Sequence, residues 1–465
     1  MSIDLSLDRI RLLTEHLPYT RPTIHIAGTN GKGSVSAIIA SILCAAGLSV
    51  GRFNSPHLVS VRDSIALNGT PADEDTYKRV RDEVESANAT HGTRLSNFEL
   101  LTLTALRVFE HAGVDIAVIE VGMGGRLDAT NVIADDCVVV SALCAIDLDH
   151  QAFLGDTVEA IAREKAGIAR RGRPLILGRQ KHPTVVEAAK DYAAARGIPL
   201  IVAQPARPRR DNDKGEAQQA FISPLSHDFT GLAPHTVEAY MPGLESQDWL
   251  SLELPLHGAH QLDNLGLAIA IISTARERWP EWNITAPAVA DGVRSVSWPG
   301  RLSFHTIEID GRKLTVLVDG AHNPASAETL ARFVSDELLG RCHEAEQVTI
   351  NYILALSHSP PKTPKQTLSA LLPPRERNGR QIRINVGLLP FTQPDGMPWV
   401  THTPPEVMRA VVEELLPEAD VFVAKEAQPE ALEQALRWVS RKGGITVLAG
   451  SLYLVADFYR FTQRA

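Results

Sequence analysis

Three stretches of this chain are apolar almost without interruption: Thr23 to Ala27, Val114 to Val121 and Cys137 to Cys144. A strand that alternates polar and apolar residues can leave one face in water, but these runs cannot, so each needs cover on both faces. The intervening segments supply that cover. Val35, Ile38, Ile39, Ile42, Leu43 and Ala46 recur at helical spacing until Gly47, and Leu101, Ala105, Val108, Phe109 and Ala112 share a second helical face. A strand from Leu48 to Phe53, an acidic helical stretch from Asp73 to Ala89 and a helix over Thr157 to Ala169 continue the pattern. The alternation predicts an α/β fold built on a parallel sheet with helices on both faces.

The 465 residues imply more than one core. After the helix-like HQLDNLGLAIAIISTA, the segment VRSVSWPGRL breaks the alternation, which restarts with KLTVLVDG at Lys313. Two domains are expected, 1–297 and 298–465. The second is a smaller Rossmann-like α/β unit with strands at Val348 to Leu356, Ile382 to Val386, Val421 to Val423 and Ile445 to Ala449, and a C-terminal helix from Leu452. Residues 203–220, full of breakers, read as a surface loop, and SHSPPKTPKQ at 357–366 as a rigid one. Cys44, Cys137, Cys144 and Cys342 lack metal-finger spacing and read as buried free thiols. An excess of 55 acids over 46 bases argues against a nucleic-acid partner. No run is long enough to span a membrane, and Asp4 and Asp8 do not suit a leader, so a cytoplasmic location is expected.

The turn GTNGKGS, comprising Gly28, Thr29, Asn30, Gly31, Lys32, Gly33 and Ser34, sits between a buried strand and the start of an amphipathic helix. Glycines let backbone wrap an anion, the helix N-terminus presents unpaired N–H groups, and Lys32 adds a point charge. The common pattern GxxxxGK[ST] is displaced here: position 26 is Ile26 and position 33 is Gly33. Phosphate binding is the expectation, with Ser34 suited to magnesium. The later GMGG lacks a third glycine and a helix start, and reads as a tight loop aiming Arg126 and Asp128 at a ligand.

GTNGKGS, SPH at Ser55 to His57, EVGMGGRLDATN from Glu120, LDH ending at His150, REKAGI from Arg163, HQLDN ending at Asn264, PGR ending at Arg301 and DGAHNP from Asp319 occur in one order along the chain. Together they resemble the folylpolyglutamate and dihydrofolate synthase family, amide ligases related to the Mur ligases. DSIALNG, GMPWV and GSLYL look most like its fungal dihydrofolate synthases. The resemblance implies a P-loop ATPase-like first domain carrying a pterin site and a C-terminal ligase domain. With 27 residues before Gly28, the further N-terminal domain of Mur ligases is not expected.

The implied reaction joins L-glutamate to 7,8-dihydropteroate through an acyl phosphate, giving dihydrofolate, ADP and phosphate. By resemblance, ATP is held by Gly28 to Ser34, Asn264, Arg301 and Asp319, and two magnesium ions by Ser34, Ser55, Glu120, His150 and Lys165. The family's matching lysine is carbamylated; the ordinary reading of Lys165 is a solvated amine or an ion pair with Glu164. A lone His150 is more often structural, and the matched neighbours favour the ligand reading. Phe98, Arg126, Leu127 and Asp128 match the pterin loop, with simple packing open for Phe98. His322 and Ser451 match positions linked to glutamate binding or acyl-phosphate chemistry. The catalytic set is then Lys32, Glu120, His150, Lys165 and His322. Reduced folates as substrates, in a polyglutamate-extending or bifunctional enzyme, remain the nearest alternative, and an ATP-binding switch the distant one. The family leads one to expect a monomer.

Overall fold

The computed structural model describes residues 6–209, 234–243, 248–339, 347–358, 363–372, 381–394, 397 and 399–463. The described residues fall into two compact units, one holding those of 6–209, 234–255 and 259–298, the other 256–258 and those of 299–463.

The first unit is built on eight strands: β1 (Thr23–Ala27), β2 (Val50–Phe53), β3 (Ile65–Leu67), β4 (Thr70–Pro71), β5 (Ile116–Glu120), β6 (Val138–Leu143), β7 (Leu175–Leu177) and β8 (Leu200–Val202). They lie side by side in the order β4-β3-β2-β5-β1-β6-β7-β8. Every residue of β1, β5 and β6 is buried, as continuous apolar runs require. β1 runs parallel to both neighbours, with Ile26 opposite Glu120 on one side and Ala142 on the other. From β1 the chain first fills one side of the sheet and then, from β6 onward, the other. β1 therefore stands at the point where strand order reverses, where open α/β sheets bind their ligands. The sheet is mixed rather than wholly parallel, because β3 and β4 pair antiparallel at one edge.

Helix Lys32–Ala45 buries Val35, Ile38, Ile39, Ile42 and Leu43, the stripe its spacing predicts, and Gly47 follows at φ 87°. Helix Asn97–Ala112 starts at a capping box in which Ser96 and Glu99 satisfy each other's backbone N–H. Glu99 also receives Arg9 at 3.2 Å, which ties helix Asp8–Thr14 to this helix start. The helix expected over Thr157 to Ala169 is shorter, Val158–Ala166, with Gly167 as its C-cap.

Three features of this unit depart from expectation. β9 (Arg207–Pro208), β10 (His235–Tyr240) and β11 (Trp249–Leu254) form an antiparallel sheet in the order β11-β10-β9. The first of these lies inside the supposed surface loop 203–220, whose residues from 210 fall outside the described set. Only Val237, Ala239, Leu252 and Leu254 are buried along β10 and β11, a half-buried alternation much weaker than the continuous runs. Cys137 and Cys144 are buried thiols, whereas Cys44 is only half-buried near its helix's end; Cys342 lies outside the described residues.

The second unit has six strands: β12 (Ser303–Ile309), β13 (Arg312–Val318), β14 (Gln347–Leu354), β15 (Gln381–Leu388), β16 (Asp420–Val423) and β17 (Ile445–Ala449), in the order β12-β13-β17-β14-β15-β16. Its core centres on Leu317, Ile350, Tyr352, Leu354, Val386, Leu388 and Val447. The alternation restarts earlier than expected: β12 precedes Lys313 and pairs antiparallel with β13. Its side chains are mostly half-exposed, as an edge strand allows, so it carries no apolar run. The supposed rigid loop 357–366 ends in helix Pro364–Leu371, with Pro364 at a first-turn position where a missing N–H costs nothing. Residues 359–362 fall outside the described set. None of the described helices is long and apolar enough to cross a membrane.

Candidate active site

In the first unit the sequence-selected residues gather along one edge of the sheet, at the carboxyl ends of β2, β5, β1 and β6. Gly28 to Ser34 follow β1, Ser55 follows β2, Glu120 ends β5 and His150 follows β6. The phosphate loop is shaped by Gly31, the helix N-cap, at φ 92°. A side chain there would be strained, and its Cβ would run into Asn264 Oδ1. Thr29 and Asn30 both donate their N–H groups to Ala145 O, at 2.9 and 3.1 Å. The first intrahelical bond is Val35 N–H to Gly31 O, so Lys32, Gly33 and Ser34 carry the helix-start amides suited to an anion. The loop is thus split: its first half is fastened to the β6 side and its second half presents donors.

Lys32 Nζ lies 3.1 Å from Gly28 O and 3.7 Å from Glu120 Oε1. Lys165, on helix Val158–Ala166, places its Nζ 3.0 Å from the same Gly28 O and is only 3% exposed. Burial, reinforced by the charge of Lys32, pulls the Lys165 amine down from 10.5 to about 7. It is not the solvated lysine its Ala/Gly-flanked segment suggested, nor is Glu164 its partner: Glu164 receives Arg126 Nε at 2.9 Å. Close helix approach explains this depth. A Cβ on Gly125 would meet the backbone of Glu164 and Lys165 within 3 Å, so the GMGG loop and the Lys165 helix touch main chain to main chain.

Glu120 is 5% exposed and is met on its other oxygen by Asn54 Nδ2 at 2.7 Å; the same amide reaches Ser36 Oγ at 2.6 Å. Gln261 Nε2 lies 3.3 Å from Ser34 Oγ, and Asn264 Nδ2 donates to Gln261 Oε1 at 2.9 Å. Arg52, with its guanidinium 4.9 Å from the centre of the Trp298 ring, adds a nearby positive charge to Glu120. Asn54, Gln261 and Arg52 escaped the sequence reading. The only local signal was their position: Asn54 directly precedes Ser55, and Gln261 stands three residues, one helical turn, before Asn264.

His150 takes a left-handed backbone conformation, φ 51°, uncommon for a residue with a Cβ. Its ring is half exposed, with Nε2 3.6 Å from Asp149 Oδ2. Phe98 is half-buried, 6.2 Å from the Phe53 ring and directly against Gly122, where a Cβ would collide with it. The loop that follows does not aim Asp128 outward. Its Oδ2 accepts Met123 N–H at 2.8 Å, and its Oδ1 accepts the Thr130 N–H at 3.0 Å and hydroxyl at 2.5 Å. Asp128 is buried as the N-cap of the turn Ala129–Val132, while Arg126 is exposed and Leu127 half-buried between them.

In the second unit, Asp319 and Ser451 follow the adjacent parallel strands β13 and β17. Asp319 is 9% exposed and accepts Leu302 N–H and Ala321 N–H, each at 2.8 Å; burial raises its carboxyl above the usual range, and Arg301 opposes this. Arg301 Nη1 donates to Gly300 O at 2.9 Å. His322 is exposed and its Nδ1 lies 2.8 Å from Gly320 O. Ser451 is buried and caps helix Leu452–Thr462 by accepting Tyr453 N–H at 3.1 Å.

Residues 302–461 match the family model described as "Dihydrofolate synthetase, C-terminal domain". The whole chain is 32% identical to the "Probable dihydrofolate synthetase" of Schizosaccharomyces pombe, covering 99% of that protein. It is 30% identical to the dihydrofolate synthetase of Saccharomyces cerevisiae over 99% of this chain and 98% of the relative. Among solved structures, E. coli FolC in complex with DHPP and ADP superposes with a TM-score of 0.73 at 26% identity, covering all of this chain and 95% of that one. With strand-end geometry, motif order and full-length similarity in agreement, the chain belongs to the folylpolyglutamate and dihydrofolate synthase family.

Proposed function

We propose that this chain is an ATP-dependent amide ligase that joins L-glutamate to 7,8-dihydropteroate. The carrying observation is the convergence of two lysine amines on one phosphate-loop carbonyl beside a buried carboxylate, Glu120. A loop that only held nucleotide has no need of the second, costly amine. The reaction has to bring three anions together, so positioning and charge compensation supply most of its acceleration. A substrate carboxylate oxygen attacks the γ-phosphorus of ATP and ADP leaves. The glutamate amine then attacks the acyl carbon, loses a proton, and expels phosphate as the amide forms.

On this reading the amides of Lys32, Gly33 and Ser34 hold the nucleotide's phosphates, and Lys32 neutralises charge as it moves toward the β–γ bridge. Magnesium takes one or two protein oxygens plus phosphates and water. Glu120 and the Ser34 hydroxyl suit that requirement. We assign Ser34 and Glu120 to the first ion, Ser55 and His150 together with Glu120 to a metal site, and a carbamylated Lys165 to the neighbourhood of the second ion. An amine held near 7 is about half neutral in neutral solution, and the neutral form is the one that reacts with carbon dioxide. When bound, the metal would shield the phosphate charge. Asn54 keeps the Glu120 carboxylate in one orientation, and Gln261 and Asn264 brace the phosphate loop. Asp319, Arg301 and Asn264 are assigned to ATP, His322 and Ser451 to glutamate or the acyl phosphate, and Phe98, Arg126 and Leu127 to the pterin, with Asp128 shaping their loop from within.

The test is ADP release by the purified chain with magnesium. Release should require dihydropteroate and glutamate together. Equal release without a pterin would contradict the ligase assignment.

A further inference from the structure

Beneath the GMGG loop runs a file of buried polar groups that no step above uses. His25, in the middle of β1 and three residues before Gly28, is fully buried, with Nε2 2.8 Å from Thr130 Oγ1. Thr130, also fully buried, donates that hydroxyl to Asp128 Oδ1, whose other oxygen takes Met123 N–H. The proton positions follow from valence. The Thr130 hydroxyl gives its single proton to Asp128 Oδ1, so the Thr130 oxygen must accept from His25. His25 is therefore the neutral tautomer protonated at Nε2. Its Nδ1 is buried with no hydrogen-bond partner among the described residues.

Stability alone does not account for this arrangement. A buried nitrogen left unpaired is costly, whereas replacing both partners of such a bond by apolar groups of the same shape can be nearly neutral. What the file does accomplish is geometric. It links the strand that feeds the phosphate loop to the carboxylate that folds residues 122–130, and Phe98 packs on Gly122 at the start of that segment. We infer that His25 and Thr130 are positioning residues: they hold Asp128, and through it the 122–130 loop, in the shape that receives the flat heterocycle of the substrate. The inference rests on the reading of this loop as the pterin loop.

The experiment compares Thr130→Val, which removes the hydroxyl at constant shape, with Thr130→Ser, which keeps it. His25→Leu and His25→Gln form a second pair, Gln keeping a donor near the Nε2 position. KM does not depend on the fraction of enzyme folded, so a purely structural role lowers the maximal rate alone. The expected result is a KM for dihydropteroate raised roughly 10-fold in the Val and Leu variants, with KM for ATP and glutamate within about twofold of wild type and near-normal values in Ser and Gln. Unchanged KM for dihydropteroate in Val and Leu, or an equal rise for all three substrates, overturns it. Amide exchange of the loop without substrate separates this from the functional reading. If the wild type shows no dihydropteroate-dependent turnover, the function fails, and the file still stands or falls on faster exchange at residues 122–130 in Val but not in Ser.

Discussion

Glu120 closes a strand in which every other side chain is apolar, and a carboxylate in such a place must have a purpose or a partner. It has partners on both oxygens, Lys32 and Asn54. Glu120→Gln keeps the shape and an acceptor for Asn54 while removing the charge. Turnover should fall by roughly a thousandfold with the melting temperature within a few degrees of wild type; retained turnover would remove Glu120 from the chemistry. Lys165 should behave differently. Its amine is desolvated and crowded by Lys32, so Lys165→Met should abolish turnover while matching or exceeding the wild-type melting temperature. A clear loss of stability would mean that the amine is structural. His25 supplies a pH signature. Burial first, then the charge of Arg170, lowers it from 6.5 to about 3. Between those values the unfolded chain binds a proton that the folded one does not, so stability present above pH 6.5 is lost as pH falls toward 3. From pH 7 to pH 5 the wild type should lose about 2 kcal/mol more than His25→Gln in urea unfolding; equal losses would contradict the shift.

At the scale of elements, the strands β1, β5 and β6 and the helix after the phosphate loop were legible because continuous apolar runs and a helical stripe leave few alternatives. β10, β11 and β12 were not, since half-buried alternating strands in short antiparallel pairs resemble loops. Within the site, Glu120 and the glycine turn stood out by contrast with their apolar neighbours. Asn54 and Gln261 did not: a single amide, in a loop for Asn54 and in the first turn of helix His260–Arg278 for Gln261, carries no periodicity, and its role arises only from what the fold brings beside it. Asp128 was visible but its direction was not, because turn capping and ligand binding ask for the same residue type. The phosphate loop offers a test at this scale. Gly31→Ala forces a Cβ into Asn264 Oδ1 at φ 92°, and should weaken nucleotide binding by roughly 100-fold in calorimetry. Wild-type affinity would show that the left-handed turn is dispensable.

For the whole molecule, the two units have distinct parts in the account. The first holds a phosphate loop, a carboxylate and a buried amine at the reversal point of its sheet, and the second holds Asp319 and Ser451 at the ends of two parallel strands. An overall charge of −9 is compatible with anionic reactants because the positive groups are local: Lys32 and Arg52 in the first unit, Arg301 in the second. Which carboxylate the enzyme activates is the central claim, and substrate exchange addresses it directly. With ATP, magnesium and L-glutamate held constant, turnover on dihydropteroate is compared with turnover on tetrahydrofolate monoglutamate. The account predicts dihydrofolate formation from the first and little or no product from the second. Equal use of both would contradict the assignment to dihydropteroate alone.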